Sequence, residues 1–559
     1  MASFLEKIFE GLERSKDRVV LREVRGEQFV SVSGGELLEL VQRSRAWLRA
    51  CGIHPGERCG MLGANSILWV AIDLALMAEN VPVVPLYSRQ ISREIAGMLK
   101  DCRPRLLLTD DAALCEGVAA AWADAGPADL DFPQRALFDE VVHGSQLALA
   151  PLKPLARSDD DLLTIIYTSG TSGEPKGVCL NVRNLNHMTG CTSERLNQLM
   201  GASSEPDRIY LYAPLNFAAS WMLMLSALLR ESVLTLSTDL NRLAEEIRLS
   251  APHYFLNVPT LLERVKRGVE DAITKRNVAI RSLYARARKA WDREYAGQKR
   301  GLDSLWLALG RKLIFERVKS RFGQNLRALI CGSAPLAPET QLFFLMLGIP
   351  VLQAYGLTET TALCTLDDPR VPPEPGYVGT AITGVEMKLG ESDEILVRGP
   401  NIFPGYWNRP EETARVLRDS WFHTGDQGEV NARGNWRIIG RIKNLLVLNS
   451  GHKFAPEPIE DTLLQLLPGA QQVVLVGNAR SYVCALVTGP VKPAAVQAAI
   501  ETVNLQLPHY RQIRNFAVIP NAFTPENGLL TAMGKLRREA INAKCAKEIE
   551  AMYERKAHA

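Results

Sequence analysis

The pattern of apolar and polar positions changes period repeatedly along the first two thirds of the chain. Apolar residues recur at helical spacing over residues 35–50, 67–77 and 92–101. Short apolar runs of strand length lie between and after these segments. They are residues 58–62, 82–85, 105–109, 162–168, 208–213, 232–236, 254–258 and 326–331. Strands that alternate with helices build parallel sheets covered by helices, so the pattern predicts an α/β fold.

Residues 260–322 depart from this alternation. They are strongly charged, with apolar positions at helical spacing and acids interleaved among the bases. Such a pattern predicts a solvated helical excursion packed on the main body, rather than a nucleic-acid-binding patch.

The pattern changes again from Glu386. Short alternating segments at 394–398 and 435–439 predict a compact antiparallel, barrel-like unit. After Gly440 the segments predict a small α+β module that ends in a charged helix. We therefore expect a large N-terminal domain of parallel or mixed sheets flanked by helices, residues 1–442, and a small mobile C-terminal domain, residues 443–559.

Composition excludes several classes of protein. The 559 residues are 47% hydrophobic and carry 65 Lys and Arg against 62 Asp and Glu, which argues against disorder and against nucleic-acid binding by bulk charge. None of the ten cysteines forms a C-x-x-C pair, so no zinc or dithiol site is indicated, and a reducing cytoplasm fits. The N-terminus lacks the apolar core of a signal peptide, and residues 67–87 contain acids and prolines that argue against a membrane span.

A glycine- and hydroxyl-rich loop follows the strand at 162–166. Its sequence from Tyr167 to Gly177 is YTSGTSGEPKG. Glycines let the backbone approach a bulky anion, hydroxyls donate hydrogen bonds, and Lys176 can place a positive charge on phosphate oxygens. The Walker A order is absent, which disfavours a P-loop NTPase. Alone, the loop is also compatible with an ordinary surface turn.

Further motifs follow the loop in a fixed order. They are GSAPL at 332–336, QAYGLTET at 353–360, WFHTGD at 421–426, GRIKN at 440–444 and GKLRR at 534–538. With the loop, this sequence resembles the adenylate-forming enzymes, a superfamily that includes acyl-CoA synthetases, firefly luciferase and peptide-synthetase adenylation domains. The resemblance spans residues 20–545.

The resemblance implies transfer of AMP from ATP to a carboxylate, followed by transfer of the acyl group to coenzyme A. It implies that the loop holds the β- and γ-phosphates, that Tyr355 lies against adenine, and that Asp426 accepts from the ribose hydroxyls with help from Arg441. The complete set of implied ATP- and AMP-binding residues is Thr168, Ser169, Gly170, Thr171, Ser172, Gly173, Lys176, Ser333, Ala334, Pro335, Tyr355, Gly356, Asp426 and Arg441.

Catalytic roles are implied for three further residues. Lys535 would bridge the attacking carboxylate and the α-phosphate, Glu359 would ligate Mg²⁺, and Thr358 would contact the α-phosphate. Lys443 falls at the hinge between the two domains. Gly451 would lie beside the pantetheine of coenzyme A after the small domain rotates.

The identity of the acid is the less determined part. Residues 260–322 and 507–514 resemble long-chain acyl-CoA synthetases, which favours a medium- or long-chain fatty acid. Phe217 stands where many relatives have histidine, and Ala354 stands where many have glycine, beside the acyl pocket. Trp221 either gates an acyl tunnel or packs in the core.

Other readings stay open at this point. A fatty-acyl-AMP ligase that loads a carrier protein, or an enzyme that activates an aryl acid, would share the first half-reaction. A nonenzymatic binding protein would not need all five of the residues retained here, which are Lys176, Glu359, Asp426, Arg441 and Lys535. We expect a cytoplasmic protein, and the sequence leaves open a peripheral contact with a membrane.

Overall fold

The structure, a computed structural model, describes residues 3–125, 130–144, 147–169, 175–201, 205–531 and 534–554. The strands in these ranges are, in chain order, β1 (Val19–Arg25), β2 (Gln28–Ser33), β3 (Cys59–Leu62), β4 (Val83–Leu86), β5 (Leu106–Thr109), β6 (Gln134–Leu137), β7 (Leu162–Ser169), β8 (Pro175–Asn181), β9 (Arg208–Leu211), β10 (Val233–Leu236), β11 (Tyr254–Asn257), β12 (Ala328–Cys331), β13 (Val351–Tyr355), β14 (Thr365–Leu366), β15 (Thr380–Ala381), β16 (Glu386–Leu389), β17 (Glu394–Arg398), β18 (Gly405–Tyr406), β19 (Leu417–Arg418), β20 (Trp421–Val430), β21 (Trp436–Arg441), β22 (Leu446–Val447), β23 (Lys453–Phe454), β24 (Gln472–Val476), β25 (Val483–Thr488) and β26 (Ile513–Ile519).

The α-helices in the same ranges are α1 (Phe4–Arg14), α2 (Gly34–Ala50), α3 (Ile67–Ala78), α4 (Ser92–Cys102), α5 (Ala112–Ala120), α6 (Phe138–His143), α7 (Val182–Met200), α8 (Ala218–Leu229), α9 (Leu243–Ser250), α10 (Pro259–Thr274), α11 (Val278–Tyr295), α12 (Asp303–Gly310), α13 (Glu316–Lys319), α14 (Pro338–Met346), α15 (Pro410–Val416), α16 (Glu457–Leu466), α17 (Pro493–Asn504), α18 (Arg538–Lys544) and α19 (Ala546–Glu554). A π-helical turn, Arg311–Phe315, joins α12 to α13.

Two large sheets form the body of the protein. One has the order β18-β8-β7-β4-β3-β5-β6, and the other has the order β15-β14-β13-β12-β11-β9-β10-β1-β2. Their central strands are parallel, and antiparallel strands lie at the edges. The short central strands are buried along their whole length, as expected for parallel strands covered by helices on both faces. The predicted α/β fold is confirmed.

A third sheet is antiparallel, with the order β16-β17-β20-β19 and β21 paired to β20. Burial alternates along β20, so that Phe422, Thr424 and Asp426 face inward. Because side chains of a strand point alternately to opposite faces, this register places the Asp426 carboxylate on the buried face. The predicted antiparallel unit is present.

The residues after the 3₁₀ turn Ile442–Asn444 form a separate core. Strands β24 and β25 are antiparallel, β26 joins β25 in parallel, and β22 and β23 form a small hairpin. Helices α16 and α17 cover one part of this sheet with apolar side chains. The small α+β module that the sequence pattern predicts after Gly440 is present, although the pattern gave no sign of β26.

The excursion over residues 260–322 consists of α10 to α13 and the π-helical turn. Helix α11 packs closely on α12, since a Cβ atom on Gly310 would lie 2.6 Å from the Cβ of Ala287. The Arg293 Nε donates to Asp303 at 2.9 Å and ties the same two helices together. The predicted helical excursion is therefore present, with α11 and α12 packed against each other.

Helix α3 is buried along nearly its whole length and carries one charged residue, Asp73. The Trp221 Nε1 of α8 donates to Asp73 Oδ2 at 2.8 Å, while Asp73 Oδ1 has no hydrogen-bond partner. Burial raises the pKa of Asp73 to about 7. As the sequence predicts for residues 67–87, this segment is a buried helix followed by a strand. Over the residues that the structure describes, no helix combines the length and the apolarity needed to cross a membrane.

We predict that replacing Asp73 by Asn changes the pH dependence of stability. The ordinary pKa of 3.8 applies in the unfolded chain, so between pH 4 and about 7 the unfolded state releases the proton while the folded state keeps it. The free energy of unfolding of the wild type therefore falls as pH rises through this window, by at most about 1.4 kcal/mol per pH unit from this group. Asn cannot ionise, so the advantage of Asp73→Asn should grow between pH 5 and pH 8.

Urea unfolding of both proteins at several pH values measures this difference. Glu411→Gln, at a side chain that is 88% exposed, is the control and should show no such trend. A stability difference between Asp73→Asn and wild type that is the same at every pH would contradict the prediction.

Candidate active site

The glycine- and hydroxyl-rich loop connects β7 to β8, which pair in antiparallel register with Thr168 opposite Lys176. Gly170, Thr171, Ser172 and Gly173 of the predicted phosphate site lie outside the described residues, and Ser169 is described only in its backbone. The two strands bring Thr168 and Lys176 to the same end of the sheet.

The Lys176 ammonium has two neighbours from a distant part of the chain. It forms an ion pair with Glu412 of α15, and its Nζ lies 5.4 Å from the centre of the Tyr406 ring. Tyr406 reaches this place because β18 adds to the sheet edge beside β8, with Tyr406 opposite Val178. A cation over an aromatic face and beside a carboxylate is held in place by both.

Tyr406 also connects Lys176 to Glu359. The Tyr406 hydroxyl donates to Glu359 Oε1 at 2.8 Å. Burial and the Glu359 charge raise the pKa of Tyr406, so the hydroxyl stays protonated and can only donate to this carboxylate. One side chain therefore fixes the predicted metal-binding carboxylate beside the predicted phosphate-binding lysine.

Glu359 lies in a tight turn directly after β13. Thr358, Glu359 and Thr360 form a 3₁₀ turn, and the Phe403 N–H donates to the Glu359 carbonyl at 2.9 Å. The chain then folds back so closely that a Cβ on Gly356 would lie 2.1 Å from the Ala362 carbonyl oxygen. Only glycine fits at that position.

This return is strained. Thr361 and Ala362 have φ values of 52° and 83°, a region that side-chain-bearing residues rarely adopt. Backbone strain of this kind persists only where surrounding contacts hold it, and such places cluster at functional sites. Here the strained residues directly follow the 3₁₀ turn that carries Thr358 and Glu359.

Asp426 joins the parallel and antiparallel sheets. Its Oδ2 accepts from the Tyr355 hydroxyl at 2.8 Å, and its Oδ1 pairs with Arg441 Nε at 2.8 Å. Tyr355 ends β13, whereas Asp426 and Arg441 are opposite each other in the β20–β21 ladder. Burial raises the pKa of Asp426, and Arg441, Tyr355, Lys535 and Lys443 act against that rise. Each carboxylate oxygen therefore accepts from a donor, Oδ2 from Tyr355 and Oδ1 from Arg441.

The predicted adenine loop lies beside Tyr355. Strands β12 and β13 are parallel neighbours, so Ser333, Ala334 and Pro335 leave the sheet at the same edge as Tyr355 and Gly356. Ser333 adopts φ 73°, and all three loop residues are exposed. This arrangement leaves the loop backbone accessible at the mouth of the site.

Lys535 comes to this site from the far end of the chain. The Thr531 N–H donates to the Lys535 carbonyl at 2.8 Å, which shapes the loop that carries it. Close packing and the positive charge of Arg441 lower the pKa of Lys535, while Asp426 and Glu359 act in the opposite direction. The structure therefore places Lys535 within electrostatic reach of both acids.

Two arginines next to Lys535 anchor its loop. The Arg537 Nη2 donates to Glu94 Oε1 of α4 at 3.0 Å, across to the large sheet domain. Arg538 pairs with Glu460 of α16, which is 5% exposed, with its Nη1 at 2.8 Å from Oε1. The first contact sets where the loop sits on the large domain, and the second holds the loop to its own module.

Lys443, the predicted hinge residue, and Gly451, the predicted coenzyme A residue, have different surroundings. Lys443 follows Arg441 by two residues, and close packing together with Arg441 lowers its pKa to about 8. Gly451 lies in the turn between β22 and β23 at φ 83°, where an added Cβ would meet nothing within 4 Å. Lys443 is thus part of the charged site, whereas Gly451 faces open space on the small module.

The three predicted acyl-pocket residues are not equivalent. Phe217 is half-buried at the start of α8, with its ring 6.1 Å from that of Tyr87. Ala354 is half-buried in β13, directly before Tyr355. Trp221 is 2% exposed and bound to Asp73, so in this structure it packs in the core.

Glu359 is suited to a hard divalent cation. No cluster of three or more His, Cys, Asp or Glu side chains in the described ranges could enclose a metal ion. Mg²⁺ commonly takes one or two carboxylates and completes its shell with water and substrate phosphates. A single oriented carboxylate near Lys176 fits that requirement.

Sequence reasoning missed three residues of this site: Tyr406, Glu412 and Glu94. Each acts through a partner far away in sequence, namely Glu359, Lys176 and Arg537. The one local signal in the sequence was a glycine directly before Tyr406, which indicates a close approach of the backbone. In the structure, a Cβ on Gly405 would lie 2.8 Å from the Thr413 side chain.

Two family models match the chain. The model of the AMP-binding enzyme matches residues 8–407, and the model of the AMP-binding enzyme C-terminal domain matches residues 443–557.

Curated relatives match over nearly the full length. The chain is 27% identical to the long-chain-fatty-acid–CoA ligase FadD15 of Mycobacterium bovis, over 98% of this chain and 96% of that protein. It is 30% identical to the putative fatty-acid–CoA ligase fadD11 of Mycobacterium tuberculosis, over 70% of this chain and 74% of that protein. It is 28% identical to fatty acyl-CoA synthetase B of Dictyostelium discoideum, over 94% and 85%.

Solved structures share the fold. The O-succinylbenzoate coenzyme A synthetase of Bacillus subtilis in complex with AMP superposes with a TM-score of 0.73 at 20% identity, over 95% of this chain and 97% of that one. The adenylation domain of a carboxylate reductase from Mycobacterium chelonae superposes with a TM-score of 0.75 at 23% identity, over 99% and 91%. With the site described above, these matches show that the chain belongs to the AMP-binding enzyme family, the adenylate-forming superfamily, as an AMP-forming acid–thiol ligase that resembles long-chain acyl-CoA synthetases.

Proposed function

We propose that this protein joins a medium- or long-chain fatty acid to coenzyme A, with ATP as the source of AMP and an acyl adenylate as intermediate. The observation that carries the proposal is that Lys535 lies within electrostatic reach of Asp426 and Glu359, and that Tyr406 joins Glu359 to Lys176. A lysine from the last residues of the chain has no structural need to lie there, but an adenylating enzyme needs a cation at that point.

In the first half-reaction a carboxylate oxygen of the acid attacks the α-phosphorus of ATP. A P–O bond forms, the bond to the β-phosphate oxygen breaks, and pyrophosphate leaves with the electron pair. Lys535 neutralises charge on the carboxylate and the α-phosphate, Thr358 donates to the α-phosphate, and Lys176 with the 168–176 loop holds the departing phosphates. These groups act by position and charge rather than by covalent chemistry.

The nucleoside part of ATP would lie over the junction of the sheets. Tyr355 and the backbone of Ser333, Ala334 and Pro335 border the adenine position, while Gly356 keeps the turn low enough for the nucleotide. Asp426 would accept from the ribose hydroxyls, with Arg441 beside it. Glu359 would hold Mg²⁺, which supplies charge neutralisation on the phosphate oxygens.

In the second half-reaction the sulfur of coenzyme A attacks the acyl carbon and AMP departs. Residues 443–559 would rotate about Lys443 between the two steps, which removes Lys535 and presents the Gly451 turn to the pantetheine. The placement of Lys535 and the open position of Gly451 both suit the adenylation orientation. The domain boundary at 442/443 follows from this role.

The choice of a fatty acid rests on the relatives and on the acyl candidates. Fatty-acid–CoA ligases match nearly the whole chain, including the helical excursion at 260–322. Phe217 and Ala354 are apolar and offer no charge to pair with a substrate ammonium. We further propose a cytoplasmic enzyme with coenzyme A, rather than a carrier protein, as acceptor.

ATP-dependent pyrophosphate release with a panel of acids tests this function. Fatty acids of medium or long chain should give release, and coenzyme A should convert the product to a thioester. No release with any acid would overturn the proposal. Release without a thioester product would indicate a carrier protein as acceptor, and preference for an aryl acid would replace the fatty acid.

We predict that Lys535→Ala separates the two half-reactions. Pyrophosphate release should fall by about a thousandfold or more, since the cation that stabilises the transferring charge is gone. Thioester formation from added acyl adenylate should stay within about threefold of wild type, because Lys535 acts only in the first step. Lys544→Ala, on the same module, is the control. Equal losses in both steps would contradict the role of Lys535.

We also predict that the Arg537–Glu94 pair favours the adenylation orientation. Glu94→Gln should lower pyrophosphate release about two- to tenfold, the scale of one partly exposed ion pair, and leave thioester formation from acyl adenylate unchanged or faster. Glu116→Gln on α5 serves as the matched control. Glu94→Arg combined with Arg537→Glu should restore release. If the double variant loses as much pyrophosphate release as the two single variants combined, this ion pair is not the cause of their effects.

A further inference from the structure

The charge of this chain is distributed very unevenly. Residues 260–322 contain 17 Lys and Arg against seven Asp and Glu, a net charge of +10 in a chain whose total is +3. The remaining residues therefore sum to −7. The net positive charge of this one helical excursion therefore exceeds the net charge of the whole protein.

Most of these bases face solvent. Of the 14 Lys and Arg between residues 275 and 321, 12 have exposed side chains. A few are paired locally, such as Arg288 with Glu270 at 3.2 Å and Lys299 with Glu294 at 3.2 Å. The four acids in the same range neutralise only part of the field.

The same excursion carries a row of exposed leucines. Leu302, Leu305, Leu309 and Leu313 are 66%, 52%, 36% and 39% exposed. Their spacing of three, four and four residues places them along one side of α12 and the π-helical turn. We call these four side chains the leucine ridge.

The leucine ridge is not a core-facing side of the helix that has been turned outward. The opposite side of the same helix buries Leu307, Ile314 and Phe315 in the main body. The close contact of Gly310 with Ala287 and the Arg293–Asp303 bond fix the helix in this rotation. The ridge is therefore held outward by the packing beneath it.

Exposed bases lie next to the leucine ridge in the chain. Arg311 and Lys312 follow Leu309 in the same helix and are exposed. The Arg286 guanidinium of α11 lies 4.6 Å from the ring centre of Trp306, at the inner edge of the ridge. Exposed leucines beside bases on a fixed helix are the composition of helices that lie in a membrane interface.

We propose that the leucine ridge and the bases around it dock this protein on an anionic lipid bilayer. Leucine side chains would enter the boundary between headgroups and acyl chains, while the bases would contact lipid phosphates. The negative remainder of the chain would orient the excursion toward the surface and the body away from it.

Other occupants suit this surface less well. Nucleic acid offers phosphates for the bases but polar grooves that gain little from four leucines. A second copy of the chain, related by a two-fold axis, would bring two strongly positive surfaces together. An anionic bilayer offers both an apolar boundary for the leucines and phosphates for the bases.

The docking does not depend on the proposed function, but the proposed function gives it a use. Long-chain fatty acids partition into bilayers, so an enzyme held at that surface meets its substrate at high local concentration.

Co-sedimentation of the full chain with large vesicles tests the proposal. Vesicles of phosphatidylcholine with a minority of phosphatidylglycerol should bind at least about tenfold more protein than phosphatidylcholine alone, and high salt should release it. Two double variants remove the two contributions separately: Leu305→Asn with Leu309→Asn, and Arg311→Glu with Lys312→Glu. Each should weaken vesicle binding on the order of tenfold or more.

Matched controls lie on the small module. Leu505→Asn removes a leucine that is 88% exposed, and Lys544→Glu with Lys547→Glu reverses two exposed bases. Neither should change vesicle binding. Pyrophosphate release with a detergent-dispersed fatty acid should be unchanged in all variants, and this separates failure of docking from failure of the proposed function.

Several results would overturn the docking surface. Variants that bind like wild type, or wild type that binds neutral and anionic vesicles equally, would exclude it. Retention of a DNA duplex with no vesicle binding would assign the bases to nucleic acid. Sedimentation equilibrium that shows a dimer lost in Leu305→Asn with Leu309→Asn, again without vesicle binding, would assign the ridge to a second copy.

Discussion

The contacts of Asp426 hold the active site together. A buried carboxylate is costly unless its oxygens are satisfied, and here Tyr355 and Arg441 satisfy one oxygen each. Tyr355 belongs to the nine-stranded sheet and Arg441 to the antiparallel sheet, so this carboxylate fixes how the two sheets meet. The 3₁₀ turn that follows Arg441 begins the small module. Any movement of that module therefore starts next to a residue bonded to Asp426.

The same arrangement explains why so many cations can share the site. Lys176 is balanced by Glu412, Arg441 by Asp426, and Arg537 by Glu94. Like charges this close would destabilise the fold without such partners. In the proposed function, a polyphosphate that binds Lys176 would displace Glu412 and bring more negative charge than this one carboxylate. The acids would then serve folding and leave the cations available for ATP.

Sequence alone predicted the fold class and contained the predicted nucleotide motifs, because both depend on local pattern: buried strands, glycine-rich turns and the alternation over residues 394–398 and 435–439. It did not predict β26, or the addition of β18 to the edge of β8, since two-residue strands carry no periodicity. Tyr406 and Glu412 were missed for the same reason. Both residues act through contacts with residues far away in the chain. For Trp221 the sequence left two alternatives, a tunnel gate or a core residue, and only the structure, with the hydrogen bond to Asp73, distinguished them.

The net charge of the whole chain concealed the positively charged surface of the helical excursion. A total of +3 suggests no charged surface, yet it is the sum of a +10 excursion and a −7 body. Interleaved acids made the excursion resemble a solvated helix, but helical wrapping and packing decide which side chains reach solvent. Once α12 buries Leu307 and the π-helical turn buries Phe315, the leucines at 302, 305, 309 and 313 have no place in the core. The packing that creates the core on one side of this helix also creates the exposed ridge on the other.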